Sequence, residues 1–480
     1  MSNTSKASER IAALLDDNSF VEIGGLVTAR ATDFNMKPTE TPSDGCITGY
    51  GVIEGNPVYV YSQDVSVMNG TIGEMHAKKI AGLYDLAMKT GAPIIGLIDS
   101  AGLRLQEATD ALSAFGQIYL KQTLACGVIP QITAVLGTCG GGLGLFPAMT
   151  DFTFMESGSA KLFVNSPNAL AGNTAAKCDT AGAAFQEEEC GMVDVAADET
   201  SLFSKIRELV DMLPANNRDN TSFLTECMDD LNRVNPEIAG CVGDTAVAAS
   251  ILADDNRFFE IKSGYAKEMV TGFMRLNGAT VGLVANRCEI CDEEGNVSQK
   301  MDAVLTKKGC EKAAEFVNFC DAFDIPVLTL TNVTGFEATV CSEKGIAKAA
   351  AGLTYAFANA SVPKVNVIIG KAYGTAYTVM NAKSIGADMT FAWQGAEIGT
   401  MDSKLAAKIM YEGQGADTIN EKAQEYAALQ NNAVSAARRG YVDRIIEAGD
   451  TRKYVIGAFE MLFTKSEDRP AKKHGTVWKG

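Results

Sequence analysis

Residues 137–148 read GTCGGGLGLFPA, with four glycines in the first six positions, directly after the apolar run PQITAVL. A turn of this kind between a strand and a helix leaves the first N–H groups of the helix without partners. Glycine keeps the approach to them open, because no side chain intervenes. Two ligands suit such donors: a phosphate, and a carbonyl oxygen that gains charge during a reaction, such as the enolate of a thioester. The stretch lacks the Lys-Ser/Thr of a P-loop and fits no convincing GxGxxG followed by an acidic ribose ligand, so phosphate is the weaker reading. Close helix–strand packing is a third use for Gly140, Gly141 and Gly142. A second turn, KAYGTAY (371–377), stands at the matching place in the second half of the chain. Two symmetric turns suit two oxyanions, and hence a reaction with two carbonyl partners.

Two other groupings carry chemistry. His76 with Ser100 raises a serine hydrolase, but no acid partner stands out, and such a site is recognised by geometry. Cys288 and Cys291 form a CxxC in NRCEICDEEG, yet a zinc site needs a second pair or histidines, and the chain has only two histidines. The plainer expectation is a surface turn leading into an acidic hairpin loop, with no metal. A non-catalytic scaffold is a third class, which degraded glycine turns would favour; the turns are intact.

The elements that position the turns come from a duplication. LLDDNSFVEI (14–23) is echoed by LADDNRFFEI (252–261), and ITGYGVIEGNPVYV (47–60) by VTGFMRLNGATVGL (270–283). APIIGLIDSAG is echoed by IPVLTLTNVTG, and VIPQITAVLGTCGGG by VPKVNVIIGKAYGT. In these last two pairs Pro93, Gly102, Pro130, Gly137 and Gly141 match Pro326, Gly335, Pro363, Gly370 and Gly374, each 233 residues on. We expect two homologous α/β domains, 1–222 and 223–480, joined through the polar stretch LPANNRDNTS (213–222). Residues 94–98 and 132–136 read as buried strands bounded by Pro and Gly. Ile80, Leu83, Tyr84, Ala87 and Met88 mark one helical face, and Ala313, Phe316, Val317, Cys320 and Phe323 mark another.

The 480 residues are 46% hydrophobic and 21% charged, enough for two full cores. A net charge of −17 without a strong basic patch argues against nucleic acid or an anionic membrane. No apolar run approaches the ~20 residues of a membrane span. The first residues lack a secretion signal, and twelve cysteines in such a chain read as reduced thiols, so the expected compartment is the cytoplasm.

A series of ordered motifs resembles the carboxyltransferase subunits of biotin-dependent acyl-CoA carboxylases and decarboxylases, of the propionyl-CoA carboxylase β-chain and methylmalonyl-CoA carboxyltransferase type. They include GEMHAKKI (73–80), LRLQE (103–107), PAMTDFTFM (147–155), VPKVNVIIGKAYGTAY (362–377), GYVDRIIEAGDTR (440–452) and KKHG near the end. The resemblance spans nearly the whole chain. It implies two crotonase-like (ClpP/crotonase) domains, with acyl-CoA on the N-terminal one and biotin on the C-terminal one. It implies a homo-hexamer, a trimer of dimers, with active sites between the N-domain of one subunit and the C-domain of its neighbour. The implied partners are a biotin carboxyl carrier protein with either a biotin carboxylase or membrane decarboxylase subunits. Gly141 and Gly142 would hold the thioester enolate; Thr375 and Ala376 would hold the biotin ureido oxygen.

Three departures from the family pattern mark further residues. Thr375 replaces a second glycine. DSAGLR replaces DSGGAR, placing Ala101 and Gly102 at the acyl side. GFEAT replaces GFLPG, placing Gly335 and Phe336, with Gly374, at the biotin side. Thr378 matches a position that sets acyl size in the family, and it does not choose between acetyl and propionyl. AMKT (87–90) looks like a biotin-accepting AMKM, but Lys89 lies at the end of a helical face running into a buried strand. Biotin must therefore arrive on another polypeptide.

Overall fold

The computed structural model describes residues 5–30, 40–219, 226–292, 294–467 and 469. The end of the expected linker (220–222) and the KKHG motif (472–475) lie outside the described residues. The chain divides into two compact units, Met1–Phe223 and Leu224–Gly480.

The first unit runs α1 (Lys6–Leu14), β1 (Val21–Ile23), β2 (Cys46–Ile53), β3 (Asn56–Gln63), α2 (Glu74–Thr90), β4 (Ile94–Ser100) and α3 (Ala108–Ala125). It continues through β5 (Gln131–Gly140), α4 (Leu145–Ala148), β6 (Phe152–Glu156), β7 (Lys161–Phe163), α5 (Asn173–Ala176), β8 (Val195–Ala197) and α6 (Glu199–Met212). Its sheet has the order β1-β2-β3-β4-β5-β6-β8, with β7 also beside β5. The β1–β2 and β2–β3 pairs are antiparallel and the rest are parallel.

The second unit repeats this plan. It runs α7 (Thr245–Leu252), β9 (Phe258–Ile261), β10 (Met269–Leu276), β11 (Ala279–Asn286), β12 (Glu289–Cys291), β13 (Val297–Lys300), β14 (Val304–Leu305), α8 (Lys307–Ala322), β15 (Val327–Val333) and β16 (Gly335–Phe336). Then come α9 (Val340–Glu343), α10 (Ile346–Asn359), β17 (Lys364–Tyr373), α11 (Gly374–Val379), β18 (Met389–Trp393) and β19 (Glu397–Gly399). The unit closes with α12 (Ser403–Met410), α13 (Ala416–Leu429), α14 (Ala433–Arg438), β20 (Arg444–Ile446) and α15 (Thr451–Leu462). Its sheet order is β9-β10-β11-β15-β17-β18-β20, with β19 beside β17. Even a lone bridge repeats: Ile72 pairs with Leu103, and Leu305 with Phe336, 233 residues on. The hairpin β12–β13 has no counterpart among the described residues of the first unit, and it raises the offset between matched strands from 223 at β10 to 233 at β15.

The local causes are ordinary ones. Residues 94–98 and 131–136 are buried throughout, as expected of parallel strands covered on both faces. Helix α2 buries Ile80, Leu83, Tyr84 and Ala87 and stops at Gly91, whose φ of 68° only glycine adopts freely. Lys89, of AMKT, lies in its last turn. Cys291 ends β12, and Asp292, next in the chain, accepts from the Glu294 and Asn296 N–H groups in the acidic turn of the hairpin.

A buried ion cluster fixes the loops above β4. Arg104 is fully buried; its Nη1 lies 2.7 Å from Asp44 Oδ1 and 2.9 Å from Glu107 Oε1, and its Nη2 donates to the Thr71 carbonyl. Removing one partner strands the other charges in a dry interior. Arg104→Met is therefore expected to cost about 3–5 kcal/mol of stability, read as a lower urea midpoint.

Candidate active site

Both glycine turns sit where a parallel strand ends and a helix begins. In the first, β5 leaves Gly141 at φ 65°, and a tight helical turn over Gly141–Gly144 leads into α4. In the second, β17 leaves Gly374 at φ 61°, and α11 starts there. At the 233-residue offset, Gly141 matches Gly374 and Gly142 matches Thr375. Gly142 and Thr375 are the exposed members, whereas Leu143 and Ala376 bury their side chains. Residues in a helix's first turn have no intrahelical acceptor for their N–H groups. The Gly142 and Thr375 N–H groups donate to no other described group.

The glycines of the first turn divide by use. A Cβ on Gly140 would lie 2.5 Å from the Phe163 ring, and one on Gly144 2.7 Å from the Phe163 carbonyl, so these two serve packing. A Cβ on Gly141 would meet nothing within 4 Å; it faces open space. Tyr119 on α3 was not legible in advance: its hydroxyl donates to the Gly142 carbonyl at 2.7 Å and holds the turn. Its ring meets Phe146 edge-on at 5.7 Å.

The other expected residues group around these turns. Gly102, at φ 94°, lies so near β5 that an added Cβ would be 3.5 Å from the Gly140 carbonyl. Ala101 beside it is exposed, and its N–H donates to the Asn69 carbonyl. In the second unit Gly335 and Phe336 form β16, beside α11, and both are half-buried. Thr378 is half-buried on α11. Thr375 carries no strain, because the positive φ falls on Gly374.

His76 and Ser100 do not form a pair. His76 Nδ1 lies 3.0 Å from the Asp44 carbonyl and Nε2 3.2 Å from Gln63 Nε2, while the Ser100 hydroxyl accepts from the Gly102 N–H. Burial, reinforced by the Arg104 cation, pushes His76 down to about 3. A base held neutral in the fold binds its proton only on unfolding. Its contribution is full above the ordinary value of 6.5 and declines as pH falls toward 3. The unfolding midpoint is thus expected to drop between pH 6.5 and 4, and less steeply in His76→Gln.

Two repeated units, each a mainly parallel sheet with a glycine turn after its central strand, are the crotonase-like fold. The carboxyl transferase domain model matches residues 3–477. The propionyl-CoA carboxylase beta chain of Roseobacter denitrificans is 39% identical, over 98% of this chain and 93% of its own. The methylmalonyl-CoA decarboxylase subunit alpha of Propionigenium modestum is 38% identical, over 98% and 92%. The solved transcarboxylase 12S, a hexamer with methylmalonyl-coenzyme A and methylmalonic acid bound, superposes with a TM-score of 0.90 at 36% identity, over 98% of this chain and 92% of that one. The chain belongs to the carboxyl transferase family, and it is an enzyme of the biotin-dependent acyl-CoA carboxylase group. Among the described residues, no helix is long and apolar enough to cross a membrane.

Proposed function

We propose that this protein moves a carboxyl group between biotin, carried on a separate protein, and the α-carbon of a short acyl-CoA, the propionyl/methylmalonyl pair. The observation that carries the reading is the repeated turn: one exposed main-chain donor after β5 and another after β17. The first unit takes the acyl-CoA, and the thioester oxygen rests on the N–H groups at Gly141 and Gly142 as the enolate forms. Ala101 and Gly102 wall the acyl group, with Thr378 near it from the other unit of a neighbouring copy. In the second unit the N–H groups at Thr375 and Ala376 hold the ureido oxygen, with Gly335, Phe336 and Gly374 around the ring. When bound, carboxybiotin supplies the carboxyl group and a ureido nitrogen able to take the α-proton, so the chain needs no side-chain base. Its own task is electrostatic: fixed donors where negative charge develops.

The working form is a hexamer in the cytoplasm, served by a biotin carboxyl carrier protein and a biotin carboxylase. The decarboxylase direction, with a membrane subunit in place of the carboxylase, is favoured by the relative from Propionigenium modestum. Purified protein mixed with carboxylated biotin and propionyl-CoA is expected to form methylmalonyl-CoA. Absence of product with acetyl-, propionyl- and longer acyl-CoA alike would overturn the reading.

A further inference from the structure

One side of α3 grips the first glycine turn at both ends. Phe115, Tyr119 and Gln122 stand at the i, i+4 and i+7 positions of that side. The Tyr119 hydroxyl donates to the Gly142 carbonyl at 2.7 Å, and Gln122 Nε2 donates to the Phe146 carbonyl at 3.4 Å, four residues further along. The Phe115 ring meets both Tyr119, at 6.1 Å between ring centres, and Phe146, at 5.8 Å.

The second unit has the same helix without this grip. The buried residues Ala111, Phe115, Ile118 and Gln122 of α3 match Ile346, Ala350, Leu353 and Phe357 of α10, each 235 residues on. Phe115 and Tyr119 therefore correspond to Ala350 and Thr354, and the Thr354 hydroxyl donates back to the Ala350 carbonyl of its own helix. The turns differ in the complementary sense. A Cβ on Gly142 would lie 3.1 Å from the Tyr119 hydroxyl and 3.6 Å from the Phe115 ring. Thr375, the counterpart of Gly142, carries a full side chain. Where the helix brings rings the turn is bare, and where the helix is small the turn has a side chain of its own.

A bare turn is a loose one. Gly140, Gly141 and Gly142 have wider backbone freedom than other residues, whereas a Cβ narrows the conformations open to Thr375. An N–H stabilises a growing negative charge only if its direction is set beforehand. Strand β5 fixes the near end of the turn by pairing with β7 as far as Gly140. The Tyr119 hydroxyl fixes the far end at the carbonyl of Gly142, the residue whose N–H is the donor.

We propose that Tyr119 is a positioning residue for carboxyl transfer: its hydroxyl aims the Gly142 N–H through the Gly142 carbonyl, and the rate depends on the phenol proton. The proposal rests on the reading of the first turn as an oxyanion site. Burial alone pushes the phenol above its ordinary value of 10, so the donor keeps its proton across the neutral range. The groups that meet it, the Phe115 and Phe146 rings and the Gly142 main chain, do not titrate.

The test measures kcat and KM for propionyl-CoA in the full-length native protein, in Tyr119→Phe and in Tyr119→3,5-difluorotyrosine, whose phenol ionises near neutral pH. Tyr119→Phe keeps the ring and should lower kcat about tenfold, the worth of one ordinary hydrogen bond, with KM and the urea midpoint little changed. The difluoro form should match the native protein in mild acid. It should lose about the same tenfold in mild alkali, because a phenolate cannot donate to the carbonyl. Equal kcat in all three proteins, or a loss that does not follow ionisation of the difluoro phenol, would overturn the proposal. If Tyr119→Phe does not fold, the difluoro form, of nearly the same shape, decides alone. Hydrogen exchange over residues 137–148 separates this proposal from the reading beneath it, since the Tyr119→Phe peptide should exchange faster whether or not carboxyl is transferred. Faster exchange with an inactive native protein sinks the transfer reading and keeps the grip. Native transfer with kcat and exchange both unmoved by the substitutions sinks the role of Tyr119 alone.

Discussion

Gly141→Val is expected to lower the rate of carboxyl transfer by about 10²–10³-fold, the loss typical of a disabled oxyanion donor. Two physical effects act together. The backbone at Gly141 has φ 65°, a region a β-branched residue leaves, so the turn must rotate and carry the Gly142 N–H away from the ligand. The new side chain also projects into the open space in front of the turn, where a bare Cβ would meet nothing within 4 Å. Gly141→Ala separates these effects, because its methyl fits that space and only the φ penalty, of order 1 kcal/mol or somewhat more, remains. The valine variant should lose kcat far more than the alanine variant, with a much smaller change in the KM for acyl-CoA.

The second large effect is expected at Thr375→Pro, again about 10²–10³-fold in transfer. Proline deletes the N–H itself. Position 375 is the second residue of α11, where proline is tolerated because the first-turn N–H has no helical acceptor to lose. Helix and stability should therefore survive. Thr375→Gly, which keeps the donor and removes only the side chain, should keep activity within a few-fold. If the hydroxyl or methyl of Thr375 mattered instead, the two variants would fail together. Measured kcat values with saturating acyl-CoA distinguish these outcomes.

The duplication was legible because proline and glycine punctuate it. Pro93 and Pro326, or Gly141 and Gly374, hold backbone positions that few other residues can take, so they stay aligned while the surrounding side chains diverge. The two turns were legible for the same reason, as was their place between strand and helix. What could not be read is long-range. Arg10 meets Asp99 and Glu199 from 89 and 189 residues away, and no local pattern announces that. Tyr119 reads as one more residue of an apolar helix, and only the fold shows its hydroxyl on the Gly142 carbonyl. His76 illustrates the converse: a residue with catalytic chemistry in the sequence proves to be a buried, neutral strut.

The most direct measurement is transfer of labelled carboxyl from carboxybiotin to propionyl-CoA by the native protein, Thr375→Pro and Thr375→Gly side by side. Label is expected in methylmalonyl-CoA for the native and glycine forms, with a loss of about two to three orders of magnitude for the proline form. Undiminished transfer by a folded Thr375→Pro protein would contradict it.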